Sequence, residues 1–100
     1  MSTGGHVYIL TNKYRTTLYI GVTSDLVSRI IEHKDKIYPK SFSARYNCTK
    51  LVYFCLFDHI DSAIEEEKRL KGGSRQQKID LVESMNPDWE DLYLNKVQYW

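Results

Sequence analysis

Val7-Tyr8-Ile9-Leu10 and Leu18-Tyr19-Ile20-Gly21-Val22 are two β-branched and aromatic runs on either side of Asn12-Lys13-Tyr14-Arg15-Thr16. Runs of this composition around a polar segment predict a β-hairpin with a longish loop. Thr23-Ser24-Asp25 then supplies N-cap candidates. Leu26, Val27, Ile30 and Ile31 recur at helical spacing, which predicts a helix from about Asp25 to Lys34. On that helix Arg29 and His33 stand one turn apart, at the edge of the aliphatic arc. Two strand tyrosines followed by this pair make a polar set beside an apolar core, a set suited to handling a phosphate group.

Working outward, residues 36–50 contain Pro39, several serines and scattered aromatics, and read as loop or short irregular helix. Leu51-Val52-Tyr53-Phe54-Cys55-Leu56-Phe57 is continuously apolar and is expected to be a central strand buried on both faces. Asp58, Asp61 or Ser62 is expected to cap a second helix that runs to about Lys71 and ends at Gly72-Gly73. Ser74-Arg75-Gln76-Gln77 fits a capping box opening a third helix to about Met85. Asn86-Pro87 is expected to open a further helix, with Asn as cap and Pro at the first position. Residues 93–100 form a tail of undecided structure. The order ββαβαα, a small three-stranded antiparallel sheet flanked by helices, is α+β.

One hundred residues with 42% apolar content suit a single domain spanning 1–100. The net charge of +1 conceals an asymmetry: eight Lys/Arg against three Asp/Glu in residues 1–50, and six against ten in 51–100. Cations cluster from Lys34 to Lys50 and from Lys68 to Lys78, as solvated surface or as faces for a polyanion. The N-terminal residues lack the apolar stretch of a signal peptide. The longest apolar run is too short for a bilayer. A soluble, cytoplasmic protein is expected. Cys48 and Cys55 lack metal-ligand spacing and read as reduced structural thiols.

Glu67 is the second informative position. Ile60, Ala63, Ile64 and Leu70 define the buried face of the second helix, and Glu67 falls inside that stripe. A carboxylate aimed at a core is costly unless paired, protonated or bound to a cation. Three readings stand: a pair with Lys71 at i+4, a place at the stripe's wet end, or a ligand for a divalent cation shared with waters and phosphate. Tyr8 and Tyr19 also have a plain packing account. A free phenol, with a pKa of about 10, needs a nearby cation to serve as a base at neutral pH. Gly21, late in its strand, permits a bulge or a close backbone approach, here by phosphate.

Taken together, these residues resemble the GIY-YIG nuclease family, in its small single-domain bacterial branch. Tyr19-Ile20-Gly21 matches the second motif intact, and His6-Val7-Tyr8 keeps the tyrosine of the first, with His6 where Gly is usual. Thr23 to Leu26, Arg29, Glu32-His33-Lys34, Lys50 to Tyr53, Ala63-Ile64 with Glu67-Lys68, Leu70-Lys71-Gly72 and Asn86-Pro87-Asp88-Trp89 follow collinearly, covering about residues 6–92. The resemblance implies a metal-dependent endonuclease, a phosphodiester hydrolase. Tyr8 and Tyr19 would be the motif tyrosines, one helping to deprotonate the attacking water. Arg29 would stabilise the phosphate's charge, His33 would carry a proton or orient the nucleophile, and Glu67 would hold one Mg²⁺ or Mn²⁺. Asn86 is a candidate for the polar residue that many members carry after the metal Glu.

Val22 stands where some members have Lys, and no DNA-targeting domain is expected in the chain. The implied partner is DNA, branched or damaged, with RNA as an alternative and a protein partner for targeting. Lys34, Lys40, Arg45, Lys71 and Arg75 are the candidate phosphate contacts, and Tyr38, Phe42 or Tyr46 the candidate stacking residues. The competing expectations are a nucleic-acid-binding module with weak or no turnover, and an interaction protein that docks through Tyr93, Tyr99 and Trp100.

Overall fold

Residues 5–11 form the middle of the sheet. The computed structural model describes residues 4–100. It orders the elements as β1 (Gly5–Thr11), β2 (Leu18–Thr23), α1 (Leu26–Lys34), a short α2 (Phe42–Arg45), β3 (Lys50–Phe57), α3 (Ile60–Lys71), α4 (Arg75–Met85), a short α5 (Leu92–Asn95) and a 3₁₀ turn, Val97–Tyr99. The three strands are antiparallel in the order β2-β1-β3. The hairpin is closed by Asn12, whose Oδ1 accepts from the backbone N–H of Thr16 (2.9 Å) and Thr17 (3.1 Å).

Helices cover both faces. Val7, Ile9, Ile20 and Val52 pack with Ala63 and Leu70 of α3 and Val82 of α4. Tyr8, Leu10 and Leu51 pack on the other face with Leu26 and Ile30 of α1, Leu92 of α5 and Val97. Val7, Ile9 and Leu10 are fully buried, each worth roughly 1.5–3 kcal/mol of apolar transfer. The central, doubly covered strand is therefore β1 and not the expected 51–57 segment. A continuous apolar run reports that both faces are covered, not where in the sheet the strand lies. β3 is an edge strand whose burial fails toward its end, with Leu56 63% exposed. It carries a bulge: Ile9 pairs with Tyr53 and Leu10 with Leu51, leaving Val52 between them. The extra residue turns Val52 and Tyr53 to the same core.

Two further expectations are corrected. The cap of α3 is His59, without a side-chain bond, so Asp58, Asp61 and Ser62 do not serve as its cap. α3 ends at Gly72 as expected, in a right-handed conformation (φ −80°). No helix opens at Asn86-Pro87. Asn86 ends α4, and the next helix starts from Asp91, whose carboxylate accepts from Tyr93 N–H. The capping box of α4 is present as expected, with the Ser74 and Gln77 side chains exchanging bonds with each other's backbone N–H. The tail belongs to the core through Val97, and the Trp100 ring lies against His6 and Phe54, at centroid distances of 5.7 and 5.3 Å. Among the described residues no helix is long and apolar enough to cross a membrane.

Candidate active site

Strand register brings the first two site residues together. Tyr8 pairs with Gly21 and Leu10 with Tyr19, so both tyrosines project from the same sheet face, one pair apart. The Tyr8 ring crosses over Gly21. A Cβ at position 21 would collide with Tyr8 Cζ and Oη. The close approach expected at Gly21 is thus made by the first motif's own tyrosine.

α1 lies across this face. It opens at Asp25, whose carboxylate accepts from Ser28 N–H (3.2 Å) and Ser28 Oγ–H (2.8 Å). That phasing places Leu26, Ile30 and His33 inward. His33, expected at the boundary, is 7% exposed. Its Nε2 is 2.8 Å from Tyr8 Oη and its Nδ1 2.9 Å from Ser43 Oγ on α2. The His33 ring also meets Tyr19 edge-on at 5.3 Å. Arg29, one turn earlier, reaches the rim. Its guanidinium pairs with Glu32 Oε1 at 3.1 Å and lies 5.6 Å from the centre of the Tyr38 ring.

These side chains surround a small cleft lined by Tyr19, Arg29, Glu32, His33, Lys36, Tyr38, Ser41, Ser43 and Ala44. Its cavity volume is about 20 Å³, enough for an ordered water. Tyr8 does not line it. At 1% exposure Tyr8 supports the cleft from below, and only Tyr19 of the two motif tyrosines faces it.

Burial sets the charge states. It pushes the Tyr8 phenol well above its usual range, helped by Tyr19 and opposed by Arg29. Burial and then the Arg29 charge push His33 down to about 4, so the imidazole is neutral at pH 7. Burial works against the Arg29 charge, but its bond to Glu32 and the nearby phenols of Tyr8 and Tyr19 outweigh it, and its pKa is raised.

A second concavity opens on the other side of Tyr19. Leu18, Tyr19, Ile20, Phe42, Lys71 and Lys78 line a groove of about 330 Å³. Phe42 stacks on Tyr19 (6.3 Å, 25°) and meets Tyr46 at 4.6 Å. Glu67 is 15% exposed and joins the groove through an ion pair, its Oε2 lying 3.2 Å from Lys71 Nζ. The pairing account of Glu67 therefore describes this state. Among the described residues no three His, Cys, Asp or Glu side chains cluster as metal ligands. A single carboxylate such as Glu67 would suit only a largely hydrated divalent cation.

Two candidate residues have other work. Asn86 is 5% exposed, donates from Nδ2 to the carbonyls of Val52 (3.2 Å) and Glu90 (2.8 Å), and accepts from Glu90 N–H at Oδ1. It braces the turn after α4 against β3 and lines neither concavity. Lys34 turns inward, with Nζ 2.6 Å from Asp91 Oδ2 and 2.9 Å from the Thr49 carbonyl. This half-buried pair engages the Lys34 ammonium within the fold. Lys40 and Arg45 are exposed, as is Arg75, whose guanidinium donates to the Arg15 carbonyl at 3.0 Å. Ser41 and Ser43 also line the cleft without having been singled out in the sequence, and Glu32 was named there only within Glu32-His33-Lys34. The Ser-x-Ser spacing before a short helix was a cap signal for Ser41, but a four-residue helix is too short for any periodicity to reveal that Ser43 points inward.

A family profile described as the GIY-YIG catalytic domain matches residues 4–80. The chain belongs to this family. A UPF0213 protein of Syntrophus aciditrophicus (strain SB) is 30% identical over 83 residues, covering 83% of this chain and 93% of that protein. A UPF0213 protein of Staphylococcus saprophyticus is 34% identical over 77 residues, 77% and 92% of the respective chains. The solution NMR structure of the UPF0213 protein BH0048 from Bacillus halodurans superposes with a TM-score of 0.56 at 27% identity, covering 88% of this chain and 92% of that one. The resemblance read from Tyr19-Ile20-Gly21 and its collinear partners thus agrees with both sequence and structure comparisons.

Proposed function

We propose that this protein is an endonuclease that hydrolyses phosphodiester bonds of DNA in the cytoplasm, acting as one domain over residues 1–100. The observation that carries the reading is the convergence of Tyr19, Arg29 and His33 on one cleft, with Tyr8 locked beneath. Arg29 is positioned to take a phosphate oxygen: its guanidinium is held at the rim by Glu32 and Tyr38, and developing negative charge there gains from a fixed cation. Tyr19, the phenol that faces the cleft, is assigned the attacking water. Tyr8 is given the supporting role because it has no access to solvent. Neutral His33 holds Tyr8 and is not the base. Glu67 is the residue assigned to one Mg²⁺ or Mn²⁺, which when bound would offset charge on a phosphate oxygen and on the leaving oxygen. Lys71, Lys78 and the Tyr19-Phe42-Tyr46 aromatic ladder flank the path of the strand, with Lys40, Arg45 and Arg75 as outer contacts.

A nicking assay on branched, nicked and single-stranded DNA, with Mn²⁺ and with chelator, tests the reading. Cleavage is expected only with metal. Arg29→Ala is expected to lower it by about 10²–10³-fold, the effect of losing one oxyanion-stabilising donor, and Glu67→Ala to abolish it. Cleavage indifferent to both substitutions would sink the assignment. The Glu67–Lys71 pair favours one second reading, a DNA-binding module without turnover. That reading expects salt-dependent binding that survives Glu67→Ala, and no cleavage with any metal.

A further inference from the structure

The nuclease reading leaves Ser43 without a role, yet Ser43 is 3% exposed and bonded to the buried His33. Both ring nitrogens of His33 are engaged by hydroxyls, Nε2 by Tyr8 and Nδ1 by Ser43. Two hydroxyl partners alone permit either neutral tautomer. The surroundings choose between them. Tyr8 is fully buried and holds its proton, so it needs an acceptor. Arg29, its charged neighbour, carries only donors. The Tyr19 hydroxyl is a second candidate acceptor, but the contact at 2.8 Å is to Nε2. The ring proton then sits on Nδ1 and is donated to Ser43. The Ser43 hydroxyl in turn faces Ser41 Oγ at 3.4 Å, an oxygen that already accepts the Ala44 N–H as the cap of α2. Tyr8 and His33 thus donate in the same direction, from the sheet towards α2.

We infer that Ser43 is a positioning residue: it holds His33 in the Nδ1–H tautomer and through it fixes the Tyr8 hydroxyl. With its proton directed at His33, the phenolic oxygen of Tyr8 keeps its lone pairs for its other neighbours, Tyr19 and Arg29. α2, an element with no motif residue of its own, thereby becomes part of the site. The effect on rate rests on the nuclease reading, whereas the tautomer does not.

The test uses the full chain with ¹⁵N-labelled histidine, and two-bond proton–nitrogen correlation spectra at pH 7. His33 is expected to give the Nδ1–H pattern in the wild type and in Ser43→Thr. In Ser43→Ala the Nε2–H form becomes populated, because Nδ1–H loses its acceptor. Ser43→Cys, close in size but a weak acceptor, gives the same change if the alanine variant fails to fold. In the cleavage assay Ser43→Ala is expected to lower kcat by roughly tenfold or more, as for other residues that orient a site histidine. DNA affinity should be unchanged, and threonine should restore the rate. A wild-type Nε2–H pattern, or an Nδ1–H pattern unmoved in both Ser43→Ala and Ser43→Cys, overturns the inference. Absence of cleavage in the wild type with the tautomer shift intact would defeat the nuclease reading and leave the positioning role standing.

Discussion

Gly21 and His33 show how closely single residues of the site are tied to folding. Gly21 is needed because the Tyr8 ring occupies the space of its missing side chain. Gly21→Ala forces either the ring or β2 to move, and is expected to cost about 1–3 kcal/mol, the usual range for overpacking; urea denaturation measures it. His33 carries a pH dependence whose sign is fixed by its burial. Its pKa falls from 6.5 in the unfolded chain to about 4 in the folded one, so between those values the unfolded state binds the extra proton. Stability therefore rises with pH across this window and is lost as pH falls from 6.5 towards 4. The groups facing it are Tyr8, Tyr19, Arg29, Glu32 and Ser43, and of these only the Glu32 carboxylate favours the charged form. At about 1.4 kcal/mol per unit, the loss approaches roughly 3 kcal/mol. Chemical denaturation at pH 7, 5.5 and 4.5 should show it in the wild type and not in His33→Gln. At this scale the sequence named Tyr8, Tyr19, Arg29 and His33 correctly as neighbours. It did not reveal that Tyr8 is sealed and His33 buried, because depth depends on what α2 and the turns lay over them.

The elements divide by how much periodicity they carry. β1, β2, α1, α3 and α4 were legible, since a strand run, a capped aliphatic stripe or a capping box each leaves several agreeing residues. α2 and α5 are four residues each, shorter than the repeat that would disclose their inward faces, and the segment at Asn86-Pro87 carried a helix-start signal that tertiary bonds override. Lys34 illustrates the consequence. Its i, i+4 neighbours said nothing of Asp91, fifty-seven residues away. That pair links α1 to Asp91, which also caps α5 and accepts from Leu51 N–H on β3. Lys34→Ala is expected to destabilise the fold by about 1.5–3 kcal/mol, the range for hydrogen bonds to charged groups. It should leave the salt dependence of DNA binding unchanged. A slope reduced at unaltered stability would return Lys34 to the phosphate contacts.

At the scale of the molecule, the positive half of the chain and the cations of α3 and α4 meet across Tyr19. The groove holding Lys71 and Lys78 and the cleft holding Arg29 are its two sides. A strand whose phosphate rests on Arg29 is expected to continue past those lysines. Lys71→Ala and Lys78→Ala should each reduce the slope of log affinity against log salt for single-stranded DNA by about 0.7. Fluorescence anisotropy in chelator, where no cleavage intervenes, measures this; unaltered slopes would mean the strand leaves by another route.

The crossing of Tyr8 over Gly21 has a consequence for lineages as well as for molecules. Residues that hold the sheet together are retained by selection for folding alone, whatever becomes of the chemistry. A descendant that had ceased to cut would still keep its first tyrosine and its glycine, since losing either would unsettle the sheet. The motif that names the family is thus a record of ancestry. On the proposed reading, the residues whose fate would track retained activity are those with little to hold in place: Arg29 at the rim and Glu67 in its pair with Lys71.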